Sequence, residues 1–289
     1  MTTPPTDPRI PAPPARAAAG KARSWPPYVT ASAAVHVGAG LSAAAFPAEW
    51  PWALGAVAAN HLALTGGGLW PRSRWLGSNW TRLPDAAAAR REIALTIDDG
   101  PDPAVTPAVL DRLDAAGVRA TFFCIARTAA AEPGLCREIV RRGHSVQNHS
   151  DRHSKAFSLL GPTRMTGEIR AAQDRLADIT GVAPRFFRAP AGLRNPFLAP
   201  VLQRLDLQLV SWTRRGYDTI RRDPAALVAR LSRKLAAGDI LLLHDGNAAR
   251  TDAGEPLILA ALPALLARFA DAGLRAVTLP AAARGSDAA

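Results

Sequence analysis

At 289 residues and 48% hydrophobic, the chain can hold one large domain with an appendage and is too apolar to be disordered throughout. Its net charge is +11, from 35 Lys and Arg against 24 Asp and Glu, an excess that suits phosphates, an anionic membrane surface or nucleic acid. The Arg residues are scattered, no RNA- or DNA-binding motif occurs, and a plain solvated basic surface explains them as well, so nucleic-acid binding ranks low.

Positions 1–24 are rich in Pro, Ala, Thr and Arg without periodicity and read as a tail without fixed structure. Two Ala-rich apolar stretches follow within 25–75, broken by Pro47-Ala48-Glu49-Trp50-Pro51. Each approaches the roughly 20 residues that a bilayer span requires, and Trp50, Trp52, Trp70, Trp75 and Trp80 resemble an interfacial aromatic belt. The expectation is a membrane helical hairpin, although His36, Asn60 and His61 lie inside it. Arg16, Lys21 and Arg23 precede the hairpin, and Arg72, Arg74 and Arg82 follow it. The positive-inside rule then puts the rest of the chain on the cytoplasmic side of the inner membrane. A soluble or interfacial hairpin packed on the main domain is one alternative. A secretory signal ending near Ala43-Ala44-Ala45 is another.

From about residue 90 to 282 strand and helix signals alternate. Strand-like runs fall at 93–97, 120–125, 145–147, 185–187, 207–211, 240–243 and 275–279. Helical patterns fall at 107–116, 135–142, 163–179, 224–236 and 256–272, with Gly117, Gly143, Gly181, Gly238 and Gly273 just past helix ends. This alternation predicts an α/β fold with a parallel barrel or sheet. Cys124 reads as a buried strand residue and Cys136 as a helix residue, and neither has the spacing of a disulfide framework or a cysteine metal site. Positions 283–289 read as a second tail.

The chemistry concentrates in Asp98-Asp99-Gly100, at the end of the apolar run 93–97, and in His149-Ser150-Asp151-Arg152-His153. Two His at i and i+4 lie on one face of a helical turn and can share a cation, and a nearby Asp can complete a three-ligand site with a position open. The second Asp is then free to act as a base, the equipment of a metal-assisted hydrolase. Ser150 stands where the H-E-x-x-H peptidase motif needs Glu, which excludes that version. Each motif alone is weak, because surface His are often merely solvated and Asp-Gly often makes a turn. Their place at a strand's C-terminal end, where parallel α/β folds gather active sites, strengthens the reading.

Four motifs occur in order: T-I-D-D-G-P at 96–101, N-H-S-D-R-H at 148–153, R-A-P-A-G at 188–192 and L-L-L-H-D at 241–245. On them the chain resembles the polysaccharide deacetylase, or NodB-homology, domain of carbohydrate esterase family four. The resemblance implies a distorted (β/α)7 barrel and hydrolysis of an N-acyl, usually N-acetyl, group on an amino sugar. It also implies a divalent metal, commonly Zn2+, with Co2+, Ni2+ or Mn2+ as alternatives. It assigns Asp99, His149 and His153 to the metal, Asp98 as the base that deprotonates the metal-bound water, and His244 as the acid that protonates the leaving amine. Arg188 would orient Asp98, the Ala191 N–H would hold the oxyanion, and Leu241 with its apolar neighbours would line the acyl pocket.

One motif is degraded. The family's D-x-x-D-W reads Arg215-Gly216-Tyr217-Asp218-Thr219 here, so only Asp218 fits. The resemblance gives the first acid a part in tuning the catalytic His, a role left to Asp218 or Asp245. Arg215 is either a structural Arg or a residue that recognises a phosphate or carboxylate on the substrate. A cytoplasmic domain would favour a lipid- or nucleotide-linked amino sugar as substrate. Deformylation of a formamido sugar, and a non-catalytic glycan- or lipid-binding module, are the competing functions.

Overall fold

The structure, a computed structural model, describes residues 25–284. The expected tail at 1–24, and all but two residues of the one at 283–289, lie outside the described residues. In chain order the elements begin with α1 (Pro27–Ala45), α2 (Trp50–Leu69), α3 (Asp85–Ala89) and β1 (Glu92–Asp98). There follow α4 (Thr106–Ala115), β2 (Thr121–Cys124), α5 (Ala126–Ala131), α6 (Pro133–Arg141), β3 (Ser145–Asn148) and α7 (Pro162–Thr180). Next come β4 (Phe186–Phe187), α8 (Leu198–Arg204), β5 (Gln208–Leu209), β6 (Arg214–Arg215) and α9 (Pro224–Ser232). The series closes with β7 (Ile240–His244), α10 (Leu257–Asp271), β8 (Arg275–Ala276) and α11 (Leu279–Ala283).

Seven strands form one curled parallel sheet in the order β5-β4-β3-β2-β1-β7-β6, with β8 pairing at the start of β1. Every residue of β1 and β7 is buried, as expected for a parallel strand covered on both faces. Alternation sorts their side chains into two cores. Ile93, Leu95, Ile97, Leu241 and Leu243 point outward to α4, α9 and α10, where Val109, Leu227, Leu231, Leu262 and Leu265 complete the larger cluster. Ala94, Phe123, Phe186, Val210 and Ile240 fill the interior of the curl. Burial of each such aliphatic side chain contributes about 1.5–3 kcal/mol. The sheet is open between β5 and β6. There Trp80 bridges to Val210, its N–H donating to the Leu209 carbonyl at 2.9 Å and its carbonyl accepting from Ser211 N–H at 2.8 Å.

Of the predicted strands, that at 93–97 extends to Asp98 and that at 240–243 to His244, so both strands deliver a chemical group at their C-terminal ends. β6 was missed, because two consecutive Arg carry no strand signal. Arg214 is held by Asp239 and by the Arg233 and Lys234 carbonyls, and these bonds compensate its place in the sheet. α7 ends as its sequence indicates, with Gly181 at φ 72°, a left-handed cap that a side chain would strain.

The hairpin helices form where expected, but the expectation that they span a membrane is not met. No helix among the described residues is long and apolar enough to cross one. Ala and Gly dilute the hydropathy, and the contact between the helices is partly polar. Asn60 Nδ2 donates to Ser32 Oγ at 2.7 Å, and His36 Nε2 meets His61 Nε2 at 3.1 Å, while within α1 His36 Nδ1 lies 2.7 Å from the Ser32 carbonyl. Below the hairpin, Arg194 Nη2 donates to the Ser73 carbonyl at 2.8 Å, and Ser211 Oγ donates to the Pro71 carbonyl at 2.6 Å.

Candidate active site

The four motifs meet at the C-terminal ends of β1, β3, β4 and β7. Asp98 and His244 are direct partners in the register of β1 with β7, which fixes the two groups side by side. His149 follows β3 at once, and Arg188 follows β4.

Asp99, His149 and His153 converge, with one ligand atom from each lying within 4.8 Å of the others. Asp99 Oδ1 is 3.2 Å from His149 Nε2 and 3.3 Å from His153 Nε2. The pair does not sit on a helical turn, which corrects the expectation from their spacing. Residues 149–153 form an irregular loop in which Ser150 (φ 66°) and His153 (φ 52°) are left-handed. Hydrogen bonds hold that shape: Ser150 N–H donates to Asn148 Oδ1 at 2.9 Å, and His153 N–H to Ser150 Oγ at 3.0 Å. Asp99 (φ 75°), Ala191 (φ 54°) and Tyr217 (φ 60°) are left-handed as well, so backbone strain of about 1–3 kcal/mol per residue gathers around this site.

The donor set fits a divalent cation. His149 is buried and its Nδ1–H donates to the Arg188 carbonyl at 2.8 Å, which leaves the Nε2 lone pair facing Asp99. Asn247 Nδ2 donates to Asp99 Oδ2 at 3.0 Å, while Asp99 Oδ1 is buried without any hydrogen-bond partner. An orphaned carboxylate oxygen between two imidazole nitrogens is what a hard or borderline cation would satisfy. Burial raises the Asp99 pKa, but the close approach and charge of His149, with His244 and His153 adding to it, outweigh this and hold the carboxyl well below the usual range. For His149, burial lowers the pKa and the charges of Asp98 and Asp99 more than offset it; for His153, burial prevails and the pKa falls.

Beside this cluster, Asp98 accepts from Arg188 Nη1 at 2.6 Å on Oδ1, and its Oδ2 lies 3.8 Å from His149 Nε2. Arg188 is 1% exposed, a cost that its partners must meet. It also donates to Thr96 Oγ1 at 2.8 Å and to the Ser211 carbonyl at 2.8 Å, and lies 4.1 Å over the Phe123 ring. Ala191 is exposed in the turn Pro190–Gly192. Gly192 after it has φ 74°, and a Cβ there would lie 2.7 Å from the Trp212 ring and 2.8 Å from Pro71.

His244 is gripped by Asp218, not Asp245. Its Nδ1–H donates to Asp218 Oδ1 at 2.9 Å, and its backbone N–H donates to Asp218 Oδ2 at 2.7 Å. Asp245 turns away, accepting from Thr106 Oγ1 at 2.5 Å, and burial pushes its carboxyl up to about 7. Burial lowers the His244 pKa, but the Asp218 hydrogen bond and charge override it and raise the pKa above the ordinary value. The imidazolium form is therefore retained to higher pH. In Asp218→Asn, the alkaline limb of the kcat/KM profile is expected to move toward lower pH, with a loss at neutral pH. An unmoved limb would remove Asp218 from this role.

One further expectation needs revision. Leu241 cannot line an acyl pocket, because it faces the outer core; alternation puts Leu242 on the side of His244 and Thr96. Asn247 was not foreseen, and its one sequence signal is its place just past the H-D pair. Thr96, which supports Arg188, was visible only as part of the first motif.

These features define a candidate single-metal centre, flanked by a carboxylate and an imidazole, on the rim of a parallel α/β sheet. Residues 85–210 match the family model described as polysaccharide deacetylase. A chitooligosaccharide deacetylase of Azorhizobium caulinodans is 36% identical, over 61% of this chain and 89% of the relative. A peptidoglycan-N-acetylglucosamine deacetylase of Listeria monocytogenes is 31% identical over 60% of this chain, which spans only 36% of that relative's length. The structure of a family 4 carbohydrate esterase from Streptomyces lividans, in complex with acetate, matches at 34% identity and a TM-score of 0.58, covering 64% of this chain and 91% of that one. The chain belongs to the polysaccharide deacetylase family.

Proposed function

We propose that the protein is a metal-dependent hydrolase that removes an N-acyl group, N-acetyl foremost, from an amino sugar of a glycan. The observation that carries this reading is the orphaned Asp99 Oδ1 held between His149 Nε2 and His153 Nε2, with Asp98 and His244 flanking it. The names of the relatives support an N-acetylated glycan as the substrate class.

A divalent cation held by Asp99, His149 and His153 would polarise the acyl carbonyl and acidify a water molecule. Zn2+ is the first choice for two imidazoles and one carboxylate, with Co2+, Ni2+ and Mn2+ as alternatives. Asp98 takes a proton from the attacking water on Oδ2, since Arg188 occupies Oδ1 and aims the carboxylate. His244 gives a proton from Nε2 to the departing amine, with Asp218 fixing the ring through Nδ1. The exposed Ala191 turn would present its N–H to the oxyanion. Leu242, on the His244 side of β7, would contact the acyl methyl. A smaller formyl group would need only a tighter pocket around the same groups.

A base and an acid on either side of the cluster weigh against a binding module, which needs no proton transfer. The preference for a lipid-linked acceptor rested on a spanning hairpin, and no helix among the described residues is long and apolar enough to cross a membrane. Release of acetate from N-acetylglucosamine oligomers by the metal-loaded protein tests the reading. Glycan binding without acetate or formate release would favour the module.

A further inference from the structure

Trp212 lies beside two guanidinium groups with different partners. Arg188 Cζ lies 5.9 Å from the Trp212 ring, and Arg188 is paired with the carboxylate of Asp98. Arg215 Cζ lies 5.2 Å from the same ring and 5.1 Å from the ring of Tyr217, and among the described residues no carboxylate pairs with it. Its Nε is buried with no hydrogen-bond partner. A buried donor left unpaired is costly, and more so when it is charged. Nearby, Arg230 Cζ lies 4.7 Å over Tyr217 and its Nε donates to the Arg215 carbonyl at 3.0 Å, so the neighbourhood adds positive charge instead of cancelling it.

The backbone directs this charge toward the site. Arg215 pairs with Leu242 in the register of β6 with β7, and Leu242 shares its side of the sheet with His244. Arg215 and Arg188 both approach the Trp212 ring, which borders Gly192, next to Ala191.

We infer that Arg215 is a substrate-specificity residue that pairs with an oxyanion, a carboxylate or a phosphate, carried by the glycan beside the N-acyl sugar. The inference rests on the deacetylase reading and deepens it. Trp212 and Tyr217 fix the plane of the guanidinium, which then offers a preorganised fork to an oxyanion.

Three probes test it: a neutral N-acetylglucosamine tetramer, the same tetramer with alternate sugars carrying a 3-O-lactyl carboxylate, and one ending in a 1-phosphate. Binding is measured in an Asp98→Asn background, with Arg215 intact, Arg215→Met or Arg215→Lys, and kcat/KM in the corresponding enzymes with Asp98 restored. With Arg215 intact, one anionic probe should bind more tightly than the neutral one, and which it is identifies carboxylate or phosphate. Arg215→Met should weaken that probe about tenfold or more beyond any loss on the neutral one, and Arg215→Lys should restore part of the difference. Equal losses on all three probes, or no preference with Arg215 intact, would make Arg215 a structural residue and overturn the inference. Preferential anion binding without acyl release would instead refute the hydrolase reading and leave Arg215 as the anion-recognising residue of a glycan-binding site.

Discussion

Asp98→Asn is expected to lower kcat by about 10²–10⁴-fold, the usual worth of a positioned base, while metal binding is kept. Asn preserves an acceptor for Arg188 Nη1 and so avoids stranding a buried guanidinium, but it cannot take a proton. Steady-state kinetics on an N-acetylated oligomer, with metal content measured on the same sample, checks this. If the variant keeps full turnover, the proton acceptor lies elsewhere. If it loses the metal, Asp98 is a ligand, and its 3.8 Å approach to His149 Nε2 has the wrong meaning in this account.

His149→Ala should act on the other half of the site. It removes the Nε2 that faces Asp99 Oδ1 and leaves His153, the more exposed imidazole, as the remaining nitrogen ligand. Loss of a group that merely orients a ligand costs about 10–100-fold in metal affinity, so loss of a ligand should exceed that range and take activity with it. A competition titration against a chromophoric chelator reads the change. Affinity within a few-fold of the parent would mean that the ion binds without His149.

How much could be read from the sequence depended on whether burial or local geometry decided the matter. β1 and β7 were legible because a strand covered on both faces must be apolar along its whole length. Their C-terminal Asp98 and His244 came with them. β6 was not legible, because Arg214 is tolerated there through distant partners that no local pattern records. The His149 and His153 pair was found by spacing, yet for a reason the structure revises. The loop brings them together through left-handed residues and the Asn148 and Ser150 side chains, not through a helical turn.

A similar divide runs through the supporting groups. The family motifs pointed to Arg188 beside Asp98, and the structure adds what makes the burial tolerable: Thr96, two backbone carbonyls and the Phe123 ring. Asp218 and Asp245 were equivalent candidates in sequence, and only the geometry at His244 separates them. Leu241 and Leu242 differ by one position and therefore by one face of the sheet, which composition cannot register. In the hairpin, helix formation was legible from the Ala-rich runs, whereas spanning depended on a hydropathy that Gly, His36, Asn60 and His61 hold down.

The proposed activity requires Asp99, His149 and His153 to share one divalent ion. Stripping the purified, folded protein with a chelator and titrating it with Zn2+ measures this directly. Uptake of one ion per chain is expected, with acyl hydrolysis returning in step with occupancy. A folded protein that takes up no transition metal at any concentration would contradict it.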